Sequence, residues 1–203
     1  MFSLRSALAL ALVCSPRWAL AQDAAVPDTL PFHPGQWAAQ FAGGASFATV
    51  GALRFTTPAR AWLLDFRFSG GHAHDTQRVS DTLVVQGFSS NAGVNARLGR
   101  RFYQGRGKSV VSFQTVGALG GYSHSCEASG FSPTVCDNGW SAGVFAELGG
   151  AYLLTQRFSI GGTASVAFSY QRDTFRVADT AIARRWSYQG SLQGVSFGAT
   201  IYF

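Results

Sequence analysis

Strong helix formers are scarce in this 203-residue chain: it has one lysine (Lys108), two glutamates (Glu127 and Glu147) and one methionine, the initiator Met1. Charged residues make up 13%, about half the share usual in globular proteins. So few charges exclude a disordered tail or a charged coiled coil, and the shortage of Glu and Lys excludes an ordinary helical bundle. No run of basic residues marks a nucleic-acid surface. Of three cysteines, none forms a C-x-x-C pair or lies beside a histidine pair, so a zinc ribbon or finger is excluded as well. No residue pattern calls for a cofactor. In place of these the chain carries 24 glycines and 17 phenylalanines, a composition suited to strands with large apolar surfaces.

The first 21 residues read as a secretory signal. Arg5 supplies the positive start, Ser6 to Cys14 the apolar core, and Ala19-Leu20-Ala21 the small-residue cleavage site. Removing 21 of 203 residues leaves 182; without Arg5 and Arg17 the charge balance is 14 basic to 10 acidic, a net +4. Residues 22–35, with Pro27, Pro31 and Pro34, read as an extended periplasmic lead-in. Export places the remaining cysteines, Cys126 and Cys136, in an oxidising compartment, where a local disulfide is expected.

Two stretches of eighteen residues, Ser109–Cys126 and Trp186–Phe203, carry no charge, yet Ser, Gln, Thr and Gly interrupt both too often for a membrane helix. The period is two. Between Phe158 and Gln171, Phe158, Ile160, Val166, Phe168 and Tyr170 alternate with Ser159, Thr163, Ser165 and Ser169. Fourteen residues of alternation exceed the usual strand of about 5–6. The same pattern puts Trp140, Val144, Leu148 and Tyr152 opposite Glu147; Trp62, Leu64, Phe66 and Phe68 opposite Asp65 and Arg67; and Val94 and Leu98 opposite Asn91, Asn95 and Arg97. It also suggests Val111 and Phe113 opposite Gln114, and Trp37, Phe41, Leu53 and Phe55 opposite Gln40 and Arg54. An even strand count requires splitting the last run at Gly43-Gly44, and one parity throughout requires an odd loop or a bulge there.

Short connections (57–60, 104–108, 155–157) alternate with long polar ones (70–81, 124–138, 173–185). The reading is all-β: an eight-stranded antiparallel transmembrane β-barrel over residues 36–203, with short periplasmic turns and longer extracellular loops.

The chain ends with Val195, Phe197, Ala199, Ile201 and a terminal Phe203 at alternate positions. This ending is similar to the signal by which the barrel assembly machinery recognises outer-membrane proteins. With the leader and the amphipathic strands, the chain resembles the OmpA/OmpX-type small outer-membrane barrels. The resemblance implies an outer-membrane location, contact with outer-membrane lipid, and Val195, Phe197, Ile201 and Phe203 as the assembly signal. It carries no catalytic signature.

Parity sends Arg54, Asp65, Arg67, Arg97 and Glu147 into the lumen together, with Gln40, Asn91, Asn95, Gln114 and Tyr202. Eight strands leave a lumen that side chains fill, so a mutually neutralising, structural network is the expectation. His72 and His74 share a strand face at i, i+2 but have no third ligand nearby, and solvated loop histidines are expected. His124, Ser125 and Glu127 are the nearest approach to a hydrolytic set, but neighbouring strand residues point to opposite faces. Arg172, Arg176, Arg184 and Arg185 cluster in the last outer loop, where guanidinium forks suit lipid phosphates. A structural or surface-interaction role through the outer loops is the leading function, with no catalysis and no large pore; an outer-membrane lipid-modifying enzyme and a narrow pore are the alternatives.

Overall fold

The computed structural model describes residues 30–44, 47–78, 84–105, 109–129, 133–177 and 180–203. The expected signal peptide and residues 22–29 lie outside them. The described residues form eight strands: β1 (Trp37–Gly44), β2 (Phe47–Thr57), β3 (Arg60–Arg78), β4 (Val84–Gly105), β5 (Val110–Ser129), β6 (Val135–Thr155), β7 (Phe158–Val177) and β8 (Thr180–Tyr202). Each is antiparallel to its chain neighbour, and β1 pairs with β8 from Ala38↔Tyr202 to Gly43↔Phe197, closing the ring. Closure leaves no backbone edge along the shared height of the wall.

The first hairpin corrects the sequence reading. Gly44 pairs with Phe47, so only two residues separate β1 from β2. A two-residue connection inverts parity: even positions face inward in β1 (Ala38, Gln40), odd positions in β2 (Thr49, Leu53, Phe55). The stretches 70–81, 124–138 and 173–185, expected as loops, are mostly strand. β3 and β4 stay paired as far as Arg78↔Val84, β5 and β6 as far as Glu127↔Val135, and β7 and β8 as far as Val177↔Thr180. Continued pairing satisfies the backbone groups whether or not the side chains are apolar. Since β2 pairs with β3 only up to Phe47↔Ser69, β3–β8 rise well above the short β1–β2 hairpin.

At the opposite, short-turn end the interior is apolar. Leu53, Phe55, Ala61, Leu63, Tyr103, Val111, Phe113, Leu153 and Tyr202 are buried there. The segment before β1 completes this cluster. Gly35, in the left-handed region at φ 85°, turns the chain inward and donates to the Phe55 carbonyl at 2.9 Å. Phe32 then sits buried between Phe55, Tyr103 and Tyr202, with ring centroids at 4.6, 4.9 and 5.2 Å, and Leu30 is buried beside it. The end of the expected lead-in is therefore a stopper packed into the barrel's mouth.

Candidate functional site: the lumen network and the outer wall

Above the apolar plug the lumen holds a ring-crossing ion network. Asp65 on β3 and Arg97 on β4 are direct register partners on the inward face. Arg97 donates Nε to Asp65 Oδ1 at 2.7 Å and a terminal nitrogen to Oδ2 at 2.6 Å, and reaches Glu147 on β6 at 3.4 Å. Two repeats of the pleat below, Arg101 donates to Glu147 at 2.6 Å, to Gln40 on β1 at 2.7 Å and to the Thr115 hydroxyl on β5 at 2.9 Å. Asp65, Arg97, Arg101 and Glu147 are 0–4% exposed, so every charge depends on these partners. Two guanidiniums face two carboxylates, and the inner set is neutral.

Each guanidinium also lies over a ring, Arg97 on Phe145 at 4.8 Å and Arg101 on Phe113 at 4.1 Å. The wall beneath Phe145 is glycine: a Cβ on Gly117 would run into the Leu98 carbonyl and then that ring, and one on Gly99 would press on the Val116 carbonyl and the ring. On the far side of the lumen the polar contacts are lighter. Ser159 and Tyr202 pair through their hydroxyls at 3.0 Å, and Thr163 and Ser196 at 2.7 Å. Between them and Arg101 lies a cavity of ≈ 30 Å³, room for a water or two.

Of the five expected lumen charges, the structure brings Asp65, Arg97 and Glu147 together. Arg67 shares their inward parity higher up, its guanidinium 4.2 Å from the Phe47 ring. Arg54 is the correction: it stands exposed on the outer face, 5.4 Å from the Trp37 ring, because parity inverts across the β1–β2 hairpin. Gln114 is likewise on the outward parity, since Val111, Phe113 and Thr115 of β5 are buried inside. Arg101 was missed. Its signal was its spacing of four from Arg97, which on a strand is the same face.

The outer wall is apolar between two aromatic levels. Phe41, Val50, Leu64, Phe66, Leu98, Val116, Val144, Leu148, Ile160, Val166 and Phe197 are all exposed along it. Near the long hairpins a register row runs Tyr122–Trp140–Arg172–Trp186. Near the short turns another runs Trp37–Arg54–Trp62–Arg100. On β6, Trp140 and Tyr152 mark the two levels twelve residues apart, about 30 Å of height at the usual strand tilt.

Beyond the upper row, Cys126 and Cys136 are register partners joined by a disulfide, with Cα atoms 4.1 Å apart. His124 lies beside them, Nδ1 2.7 Å from Asn138 Oδ1 and Nε2 3.3 Å from Cys126 Sγ, while Ser125 projects from the opposite face. His72 and His74 meet edge to face with Nε2 atoms 2.9 Å apart. Arg172, Arg176, Arg184 and Arg185 are all exposed; Arg184 shares the outward parity of Arg172, whereas Arg185 is on the inward parity, the register partner of the buried Asp173.

No family model matches the sequence, and no curated protein matches it. Among solved structures the fold is similar to a major outer membrane protein from Thermus thermophilus, with a TM-score of 0.55 at 10% identity over 83% of this chain and 98% of that one. Acinetobacter baumannii CarO also aligns, at TM-score 0.41 and 10% identity over 84% of this chain and 98% of that one. The first likeness is one of fold: an all-β antiparallel barrel of the outer-membrane kind.

The stopper, too, went unread in the sequence. Leu30 and Phe32 are apolar residues spaced two apart beside Pro31 and Pro34, which masked them as linker.

Proposed function

We propose that this chain is an integral outer-membrane β-barrel that acts as a structural and surface-interaction protein, with a filled lumen and no catalytic role. The observation that carries the reading is the inversion of the soluble pattern: large apolar side chains cover the outside, while paired ions and a cluster of aromatics fill the inside. In this reading the signal peptide 1–21 is cleaved, the short turns lie in the periplasm, and the long hairpins stand outside the cell. Val195, Phe197, Ile201 and Phe203 present the outward alternation of β8 to the assembly machinery. Arg172 within the upper aromatic row and Arg176 and Arg184 above it face the phosphates of the outer leaflet, and Arg185, also exposed, stands on the inward parity beside them. The contacts with an external partner come from the projecting ends of β3–β8.

The test is reconstitution into bilayers. The mature protein inserts, runs at a heat-modifiable position on gels, and gives no steady large conductance in planar membranes. Failure to insert overturns the membrane reading; steady large conductance overturns the filled lumen.

A further inference from the structure

The row near the short turns repeats a two-residue unit, Trp37 with Arg54 and Trp62 with Arg100, across four consecutive strands on the outward face. Both indoles are exposed, 51% for Trp37 and 46% for Trp62, and each has a guanidinium over its ring, at 5.4 and 4.9 Å. Arg100 is the informative member. Its Cα lies five residues up β4 from the strand's end at Gly105, within the apolar band, yet its terminal nitrogen donates to the Thr56 hydroxyl at 3.2 Å, one residue from the end of β2. The side chain thus bends across Trp62 toward the turn end of the wall. A charge that starts among apolar residues and reaches for the rim is snorkelling to an interface. Thr56 takes one of its five N–H donors. No carboxylate lies in this register row, whose next members are Val116 and Ala146.

We propose that Arg54, Trp62, Arg100 and Thr56 form a binding site for the phosphate of an anionic glycerophospholipid in the periplasmic leaflet. The proposal rests on the membrane reading above. The Arg100 guanidinium over Trp62 and the Arg54 guanidinium over Trp37, carried by neighbouring positions of one register row, supply charge and hydrogen bonds to a phosphodiester, and the Trp62 indole and the Leu64–Phe66 wall above it pack on the glycerol and acyl chains. The site is set apart from the arginines of the upper rim by the full height of the apolar wall.

The test uses the mature protein carrying Arg172→Gln, Arg176→Gln and Arg184→Gln, which removes the outward arginines of the upper rim, so that the effect of the lower-row substitutions is read against a reduced background. In phosphatidylcholine vesicles, spin-labelled phosphatidylglycerol and spin-labelled phosphatidylcholine compete for the protein surface. The parent prefers phosphatidylglycerol by about five-fold for each lower-row arginine. Adding Arg54→Gln and Arg100→Gln brings the preference close to one, and Arg100→Lys keeps part of it. High salt lowers the parent's preference without any substitution, which keeps the test valid should the Gln variants fold poorly. An inserted, heat-modifiable parent with no preference, or a preference untouched by both the Gln variants and salt, overturns the site alone. A parent that does not insert overturns the membrane reading and the site with it.

Discussion

Arg97 grips Asp65 edge-on, Nε on one carboxylate oxygen and a terminal nitrogen on the other, across adjacent strands of the barrel interior. This two-bond geometry gives Arg its advantage over Lys in a dry site. Asp65→Ala leaves Arg97 with only the longer contact to Glu147, and a buried charge so exposed costs about 3–5 kcal/mol. Urea unfolding in bilayers should show that loss. The pair Asp65→Leu with Arg97→Met should recover most of it, because two apolar residues need no partners. Equal losses for the single and double variants would contradict the ion-pair account.

Phe32 is held by three aromatic rings at the short-turn end. Phe32→Ala leaves a void among them and lowers stability by about 3–5 kcal/mol. It should also admit small water-borne quenchers to the lower lumen, seen as faster quenching of Tyr103 and Tyr202 fluorescence in a variant whose tryptophans and whose other tyrosines, Tyr122, Tyr152, Tyr170 and Tyr188, are replaced by phenylalanine.

Asp137 stands beyond the upper aromatic row, where burial first and the neighbouring Asp173 second raise its pKa above the ordinary carboxylate value. A raised folded pKa means that the folded hairpin binds the proton more tightly than the unfolded one does. Stability therefore rises as pH falls from neutral through the folded pKa toward the unperturbed 3.8, and it is lost again as pH returns to neutral. Hydrogen exchange at residues 135–139, corrected for intrinsic rates, should slow in mild acid. Asp137→Asn should slow it at neutral pH and remove the acid gain.

Phe203 donates its backbone N–H to the Trp37 carbonyl at 2.9 Å and exposes its ring on the outer face. The two roles separate by variant. Phe203→Ala keeps the closing hydrogen bond and removes the ring; deleting Phe203 removes both. If the ring is the assembly signal, both variants reduce the heat-modifiable outer-membrane band alike. If seam closure matters more, only the deletion does so.

The outward faces of β3, β6, β7 and β8 were legible in the sequence because large apolar residues alternate there with Ser, Thr, Gly and single charges. The lower parts of β2 and β5 were not. There the lumen is itself apolar, with Leu53, Phe55, Val111 and Phe113 inside, and an arginine, Arg54, stands outside. Alternation gives two faces but no sign when both are partly apolar, and the β1–β2 hairpin, read with one continuous parity, assigned the wrong sign. Of the site, Asp65, Arg97 and Glu147 followed from strands with a clear face. Arg101 was hidden by its neighbour Arg100, the two being adjacent in sequence and opposite in space, one inside the lumen and one over Trp62. The projecting hairpins read as loops because both of their faces are polar, which removes the periodic signal while leaving the backbone pairing intact.

The stopper imposes an order on the birth of the molecule. The rings that receive Phe32 come from β2, β4 and β8, and the last of them, Tyr202, is the penultimate residue of the chain. A segment made near the beginning can lean on Phe55 and Tyr103 as soon as β2 and β4 stand, but the third wall of its socket exists only once the final strand lies against the first. Full enclosure of Phe32 is thus a mark of the closed cylinder, which an open curl of strands cannot bear.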